Sequence, residues 1–573
     1  MSELANRLIS FNNTARLRLL VTFFVALFVA LSTGCTDSSI SATAPAGVIY
    51  CSESNPSSFN PQLDTSSTTV DVSAHQIYSR LLEFDPSTGR IQPGLASSWL
   101  VSDDGLTYTF QLRRNVKFHQ TDYFTPSRNF NADDVIFSFQ RWLNDDHPYH
   151  DVNDATYPYF SSLNLAHTIA SIERINGYRI EIELFERDSS FLANLATDFA
   201  VILSQQYGEY LMLTKQPERI DFYPIGTGPF RFDEYQKNQF IRLLPHLQYW
   251  KNVPLTDQLI YDITPSSSIR FAKLRTGECD TIAYPSQAEI TIMQADPNIV
   301  VQEAPGLNIG FWAFNTAKPP FDQADVRRGL ALAIDKNSIL DAVYFNSASR
   351  ARSLIPPSSW AYNNDIKEIN YNPMRARELL DKAGIAKGFR MTIWAMPVVR
   401  AYNPDALRMA KLIKSYLAAV DIDATIVTYD WNTFRDKLNQ GEHDSVLIGW
   451  SADNGDPDNF YRPLLSCDAI PSGTNRAMWC NPEFDALVNS AIKISNEDKR
   501  AILYAKANNM IAKEIPLLPI AHANRYQVKN AALQGLSINP YGSIRFEGVT
   551  KTVHSPTPSM TSSAVVVNDE VRP

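Results

Sequence analysis

Asn403-Pro404-Asp405-Ala406-Leu407-Arg408-Met409-Ala410-Lys411-Leu412-Ile413-Lys414-Ser415-Tyr416-Leu417, then Thr425-Ile426-Val427-Thr428-Tyr429, then Val446-Leu447-Ile448-Gly449-Trp450: these three pieces, read in order, decide the fold. Asn403 can accept from the free N–H groups at a helix start, and Pro404 suits the first helical position. Met409, Ile413, Tyr416, Leu417 and Val420 recur at helical spacing, so they form the face that packs inward. Residues 425–429 are β-branched and aromatic, and read as a strand. Residues 446–448 are apolar on both sides, as expected of a strand covered on both faces. They end at Gly449-Trp450, after which the chain turns polar. Strand and capped helix in alternation predict an α/β lobe with a mixed sheet. In such lobes ligands sit in the crevice beyond the strand ends, and the loop after residue 448 is such a place.

The same grammar extends outward. Asn131-Ala132-Asp133-Asp134 opens an apolar stripe of Val135, Phe139 and Trp142, with a cap and two acids at the positive helix end. Val326, Leu330 and Ile334 repeat every four residues. Tyr108, Phe110 and Leu112 alternate with polar residues, as do Tyr178, Ile180, Ile182 and Leu184. Asn176-Gly177 is a frequent two-residue turn, so residues 170–184 are expected to form a β-hairpin.

The chain has 573 residues, beyond the roughly 250–300 at which one hydrophobic core stops growing, so two or more lobes are expected. Apolar residues make up 44% and charged residues 20%, ordinary for a soluble globular protein. The formal charge of −9 argues against nucleic acid as a partner, which calls for a basic patch. Arg7, Arg16 and Arg18 precede an unbroken apolar run over residues 19–31, too short to cross a bilayer and of the length of a signal-peptide core. The run closes on Gly34-Cys35, similar to a lipoprotein processing site with Cys35 as the lipidated residue. Residues 1–35 therefore read as an export signal and 36–47 as a tether. Residues 557–573 read as a disordered tail. The body is expected outside the cytoplasm, in the periplasm or cell envelope. Apart from Cys35, four cysteines remain, Cys51, Cys279, Cys467 and Cys480, an even number in an oxidising compartment that allows three pairings. Cys467 and Cys480 are close enough in sequence to close a small loop, which would leave Cys51 and Cys279 to join distant segments. No Cys-x-x-Cys is present and no His lies near a Cys, so zinc is disfavoured.

Several motifs carry a family resemblance. Pro93-Gly94-Leu95-Ala96-Ser97-Ser98-Trp99, Asp103-Asp104-Gly105-Leu106-Thr107-Tyr108-Thr109-Phe110, Val116-Lys117-Phe118-His119, Gly226-Thr227-Gly228-Pro229-Phe230, Phe314-Asn315-Thr316-Ala317-Lys318-Pro319-Pro320 and Asp325-Val326-Arg327-Arg328 resemble the family 5 extracellular solute-binding proteins of peptide and nickel ABC importers. The likeness runs from about residue 48 to about 550. Residues 394–404 and 449–460 resemble the dipeptide-binding members. Residues 315–320, 359–362 and 462–467 resemble members of importers linked to antimicrobial-peptide uptake. The resemblance implies an α/β two-lobed periplasmic binding protein fold (class II, cluster C) with mixed sheets, a hinge and an extra subdomain. Lobe I would comprise 48–80, 228–305 and 524–556, the extra subdomain 81–227, and lobe II 306–523. It also implies disulfides Cys51–Cys279 and Cys467–Cys480. The partners would be a peptide ligand and inner-membrane permease subunits with separate ATPase subunits. The chain would act as a monomer, without cofactor or metal.

A free peptide is a zwitterion, and a pocket that encloses it must pair both end charges, because an unpaired buried ion costs several kcal/mol. Asp453, just beyond the buried strand, is the candidate for the amine. Arg400, whose planar fork matches a carboxylate, is the candidate for the other end. By resemblance these positions match the residues that grip the two ends of a dipeptide. Thr65, Ser66, Tyr402, Gly449 and Trp450 are further lining candidates. The commoner fate of such residues competes with this reading: a loop Asp is usually solvated or caps a turn, and a lone Arg usually lies on a surface. Asp456-Pro457-Asp458 lacks the spacing of an EF-hand loop, and His147 with His150 reads as a surface pair. No Gly-x-Ser-x-Gly, His-Glu-x-x-His or phosphate loop is present, so an enzyme is disfavoured. The alternative ligands on the same fold are haem, nickel or a cell-wall peptide.

Overall fold

Asp405, two residues later than the sequence suggests, caps the helix Ala406–Ala418, its carboxylate accepting from the Arg408 N–H at 2.8 Å. Asn403 is taken by a tight turn in which it and Arg400 exchange backbone hydrogen bonds of 3.0 and 3.3 Å. Met409, Ile413 and Leu417 of that helix are buried, as expected of its inward face. The next strand is Ile422–Val427 rather than 425–429, because parallel pairing with Phe389–Ala395 begins at Ile422. Residues 446–448 lie within the strand Ser445–Ser451, which is flanked on both edges and has Val446 and Leu447 inaccessible. Asn131 caps the helix Ala132–Leu143 in a capping box with Asp134. The expected hairpin forms from Ile169–Asn176 and Arg179–Leu184, with Gly177 and Tyr178 at the bend. The helix Ala324–Leu332 stops short of Ile334, which is nevertheless buried.

The structure is a computed structural model and describes residues 47–85, 89–539 and 541–552. The export signal, Cys35, nearly all of the tether and the tail lie outside the described residues. No described helix is long and apolar enough to cross a membrane. The main sheet runs in the order Ile422–Val427, Phe389–Ala395, Ser445–Ser451, Asn308–Phe314, Leu517–Asn530, Thr281–Ile282, Val48–Ser52, Leu259–Ile263, Phe240–Pro245, Phe230–Gln236. A second, antiparallel sheet holds Ala96–Val101, Thr107–Leu112, Arg179–Leu184 and Ile169–Asn176.

Two large cores lie along the main sheet. One gathers buried residues from Val48 to Ala283 with Leu533 to Val549; the other gathers Ile309 to Ala523. The strand Leu517–Asn530 starts in the second core and ends in a smaller cluster around Cys51, Cys279 and Val528. Its start pairs with Asn308–Phe314 and its end with Ile299–Pro305. The chain thus passes between the cores at residues 305–308 and again near 523. Asn308 clasps the second crossing: its amide donates to the Ala523 carbonyl and its carbonyl oxygen accepts from the Ala523 N–H, at 2.8 and 2.9 Å. Gly306 has to be glycine, since a Cβ there would lie 2.4 Å from the Ala523 carbonyl.

Cys51 is bonded to Cys279, and Cys467 to Cys480. The first spans 228 positions of sequence and the second 13. On the chain-entropy model these close loops worth about 5 and about 3 kcal/mol. Replacing Cys51 and Cys279 together by Ala is therefore expected to lower the urea midpoint more than replacing Cys467 and Cys480; the opposite order contradicts this.

Candidate functional site

Two glycines facing each other across adjacent strands make room for the site. Gly310 and Gly449 are register partners. A Cβ on Gly310 would meet the Tyr402 carbonyl at 2.1 Å, and one on Gly449 would meet the Tyr402 ring at 2.4 Å. Tyr402 therefore packs directly on the sheet, and Tyr344 donates its hydroxyl proton to the Tyr402 carbonyl at 2.7 Å. The tight turn that displaced the helix cap begins at Arg400 and carries that side chain into the wall above Tyr402.

Arg400 is 5% exposed. Its guanidinium lies 3.1 Å from Glu53 and donates to the Val399 carbonyl at 2.7 Å. It sits over the rings of Tyr284 at 4.8 Å and Trp431 at 5.8 Å. Burial works against the cation, but Tyr284 and Glu53 more than offset it and hold Arg400 protonated. A guanidinium has five donors, and these contacts leave several for another acceptor.

Asp453 follows the buried strand. Asn459 positions it: its amide oxygen accepts from the Asp453 N–H at 3.1 Å and from the Trp450 indole at 3.0 Å, while its amide nitrogen lies 3.5 Å from the carboxylate. No cation among the described residues pairs with Asp453. Burial, then the charge of Asp198, pushes its carboxyl well above the usual carboxylate range. Asp198 itself has partners, His75 at 2.6 Å and Arg80 at 3.4 Å. The loop holding Asp453 is anchored from behind. Asn454 donates to Asn194 at 3.2 Å. Arg462, on the buried helix Asp458–Leu465, donates to Asp458 at 2.7 Å and to Asp188 at 3.3 Å. Asp456 and Asp458 are thus spoken for by Arg500 and Arg462.

Across the cleft, Ser66 and Thr65 precede the helix Ser67–Ser73. Asp64 accepts from the Ser66 N–H at 2.9 Å and from Arg435 at 2.7 Å. Burial alone would raise the Asp64 carboxyl; Arg435 and the hydroxyls of Ser57 and Ser66 bring it down to about 2. Burial and the charge of Glu53 push the nearby Asp71 up to about 7.

All seven residues singled out in the sequence, Thr65, Ser66, Arg400, Tyr402, Gly449, Trp450 and Asp453, line one cavity of about 160 Å³. The sequence reading missed Asp71, Asp198, Tyr284, Trp431, Arg435, Arg476 and Arg525, which line it as well, and Glu53 behind Arg400. One signal was available: Trp431 and Arg435 are four apart behind Asp430, which caps the helix Trp431–Asn439, so they share a face. Glu53 and Asp71 carried no such signal.

Residues 90–472 match the model of the bacterial extracellular solute-binding proteins, family 5. The dipeptide-binding protein of Escherichia coli (strain K12) is 42% identical over 88% of this chain and 94% of its own length. The peptide transport periplasmic protein SapA of Salmonella typhimurium is 40% identical over 94% of this chain and 99% of its own. Among solved structures, the dipeptide-binding protein from Pseudoalteromonas sp. SM9913 in complex with Met-Leu superposes with a TM-score of 0.87 at 47% identity, covering 88% of this chain and 100% of that one. The two-core architecture is thus the two-lobed α/β fold of that structure, and the chain belongs to the family 5 bacterial extracellular solute-binding proteins.

Proposed function

We propose that this chain captures short free-ended peptides in the cleft between its two cores and delivers them to an ABC permease driven by separate ATPase subunits. The observation that carries the reading is Asp453, a carboxylate facing the cavity with no cation among the described residues to pair with, in the same cavity as the unsaturated guanidinium of Arg400. The ammonium of a peptide supplies the missing charge, and its carboxylate takes the free donors of Arg400. The described lining contains no His, Cys or Met and mixes both signs of charge, which favours a zwitterion over haem or nickel. Dipeptide-binding and peptide-transport relatives at 40% identity or more support the same ligand class. The protein acts as a monomer in the periplasm or at the cell envelope, tethered through Cys35, and binds without transforming its ligand. We assign lobe I to 48–80, 228–305 and 524–556, the extra subdomain to 81–227 and lobe II to 306–523, with the hinge at the two crossings between the cores.

Glu53 and Asp64 come from the first core's segment, Arg400 and Arg435 from the second's. These ion pairs bridge the cleft and hold it shut. Removing one partner of a buried pair strands the other charge, at a cost of about 3–5 kcal/mol. Arg400→Gln alone is expected to lose stability in that range, measured by urea unfolding without ligand, and Glu53→Gln added to it to recover most of the loss. Additive losses in the double variant would show that the two side chains are uncoupled.

The function is tested by melting scans with Ala-Ala, free-ended, N-acetylated and C-amidated. At 100 times its dissociation constant the free-ended peptide adds about 2.7 kcal/mol. Asp453→Asn removes most of that gain, and the blocked peptides give little. Equal stabilisation by blocked and free peptides contradicts the two-ended grip.

A further inference from the structure

The loop closed by Cys467–Cys480 reaches the cleft through Thr474 and Arg476. It is held rigid. The Asn475 amide donates to the Ser466 and Trp479 carbonyls at 3.0 and 2.7 Å. The Thr316 N–H donates to the Ala477 carbonyl at 2.9 Å, and His443 Nε2 lies 2.8 Å from the Arg476 carbonyl. A backbone fixed on both sides of Arg476 presents its side chain in one place, the pre-organisation that a receptor group needs.

The guanidinium of Arg476 is nevertheless left short of charge. Its one side-chain partner is the Asn439 amide oxygen at 2.6 Å, and no carboxylate among the described residues pairs with it. The other cavity arginines are engaged: Arg400 with Glu53, Arg435 with Asp64, and Arg525 with the Gly542 carbonyl at 2.6 Å and the charge of Asp71. Burial, and then repulsion from Arg435, brings the Arg476 guanidinium down to about 9. An anion placed there relieves both effects. A peptide has one terminal carboxylate, and the two-ended grip assigns it to Arg400. A second carboxylate has to come from a side chain.

We propose that Arg476 is a receptor for the side-chain carboxylate of Asp or Glu in the bound peptide, so that the cleft prefers acidic peptides. The inference rests on the peptide-binding reading above. A charged hydrogen bond contributes about 1.5–3 kcal/mol, or roughly 10- to 100-fold in affinity. The test is calorimetric titration of the whole protein with Ala-Glu and Glu-Ala against their amide isosteres Ala-Gln and Gln-Ala, with Ala-Ala as reference. In at least one order the acidic peptide is expected to bind at least about 10-fold more tightly than its isostere. Arg476→Gln is expected to bring that ratio close to one; a ratio cancels any general weakening of the cleft. Equal affinity of wild type for acid and amide, with Ala-Ala bound, overturns the subsite and leaves peptide binding standing. A ratio that survives in Arg476→Gln overturns the assignment to Arg476. Failure of every dipeptide, Ala-Ala included, overturns the function and the subsite with it. The comparison of isosteres on the wild type tests the acidic preference even if Arg476→Gln does not fold, and Arg476→Met then takes its place in testing the assignment, with the same outcomes.

Discussion

A half-buried carboxylate in the cleft, with no cation among the described residues to pair with, is the condition around which this structure is arranged. At Asp453, burial and the proximity of Asp198 both oppose ionisation. The described residues around it supply one amide and no counter-charge. Desolvating an ion costs several kcal/mol even after relaxation, so the closed cleft is complete only when something brings positive charge to that point. Most nearby carboxylates do not share this condition; Asp71, which accepts from the Tyr50 hydroxyl and the Ile544 N–H, both at 3.2 Å, comes nearest to it. Asp64 has Arg435, Asp198 has Arg80, and Asp458 has Arg462. Asp453 is set apart from these ion-paired acids by its lack of a cation, and from Asp71 by having one amide, at 3.5 Å, on its carboxylate.

The fold supplies what this needs by dividing the labour between its cores. Asp453 and Arg400 both stand in loops at strand ends of the second core, where the sheet fixes their origin. From the other side Glu53 pairs with Arg400 and Asp64 with Arg435. Among the described residues the main chain passes between the cores near 305–308 and 523, and the proposed hinge lies at these crossings. The strand Leu517–Asn530 pairs at its start with Asn308–Phe314 and at its end with Ile299–Pro305, which ties the two crossings together. Gly306 at one crossing, and Gly310 with Gly449 under Tyr402, are places where the backbone comes too close for any side chain.

Much of this was legible in the chain. The strand at 446–448 announces itself by being apolar on both faces, and the polar loop after it marks a strand-end crevice. The need of a zwitterion for two counter-charges then directs attention to an acid in that loop and an Arg near the helix start. What stayed hidden depends on distance in sequence. Glu53 meets Arg400 across 347 positions, which no local pattern encodes. Arg476 is one basic residue in a polar loop until the fold brings that loop to the cavity. The displaced cap has the same origin: Asn403 is a good capping residue, but the tertiary demand for a turn at Arg400 claims it, and Asp405 takes the role.

The most direct test counts protons. At pH 6 the amine of a dipeptide, with a pKa near 8, is already charged, so any proton exchanged on binding comes from the protein. Calorimetry in two buffers of different ionisation heat, on wild type and Asp453→Asn, gives the number. The account predicts that wild type releases protons as the ammonium draws the Asp453 carboxyl into its ionised form, and that the variant releases fewer. Identical proton counts for the two proteins, or none released by wild type, would contradict it.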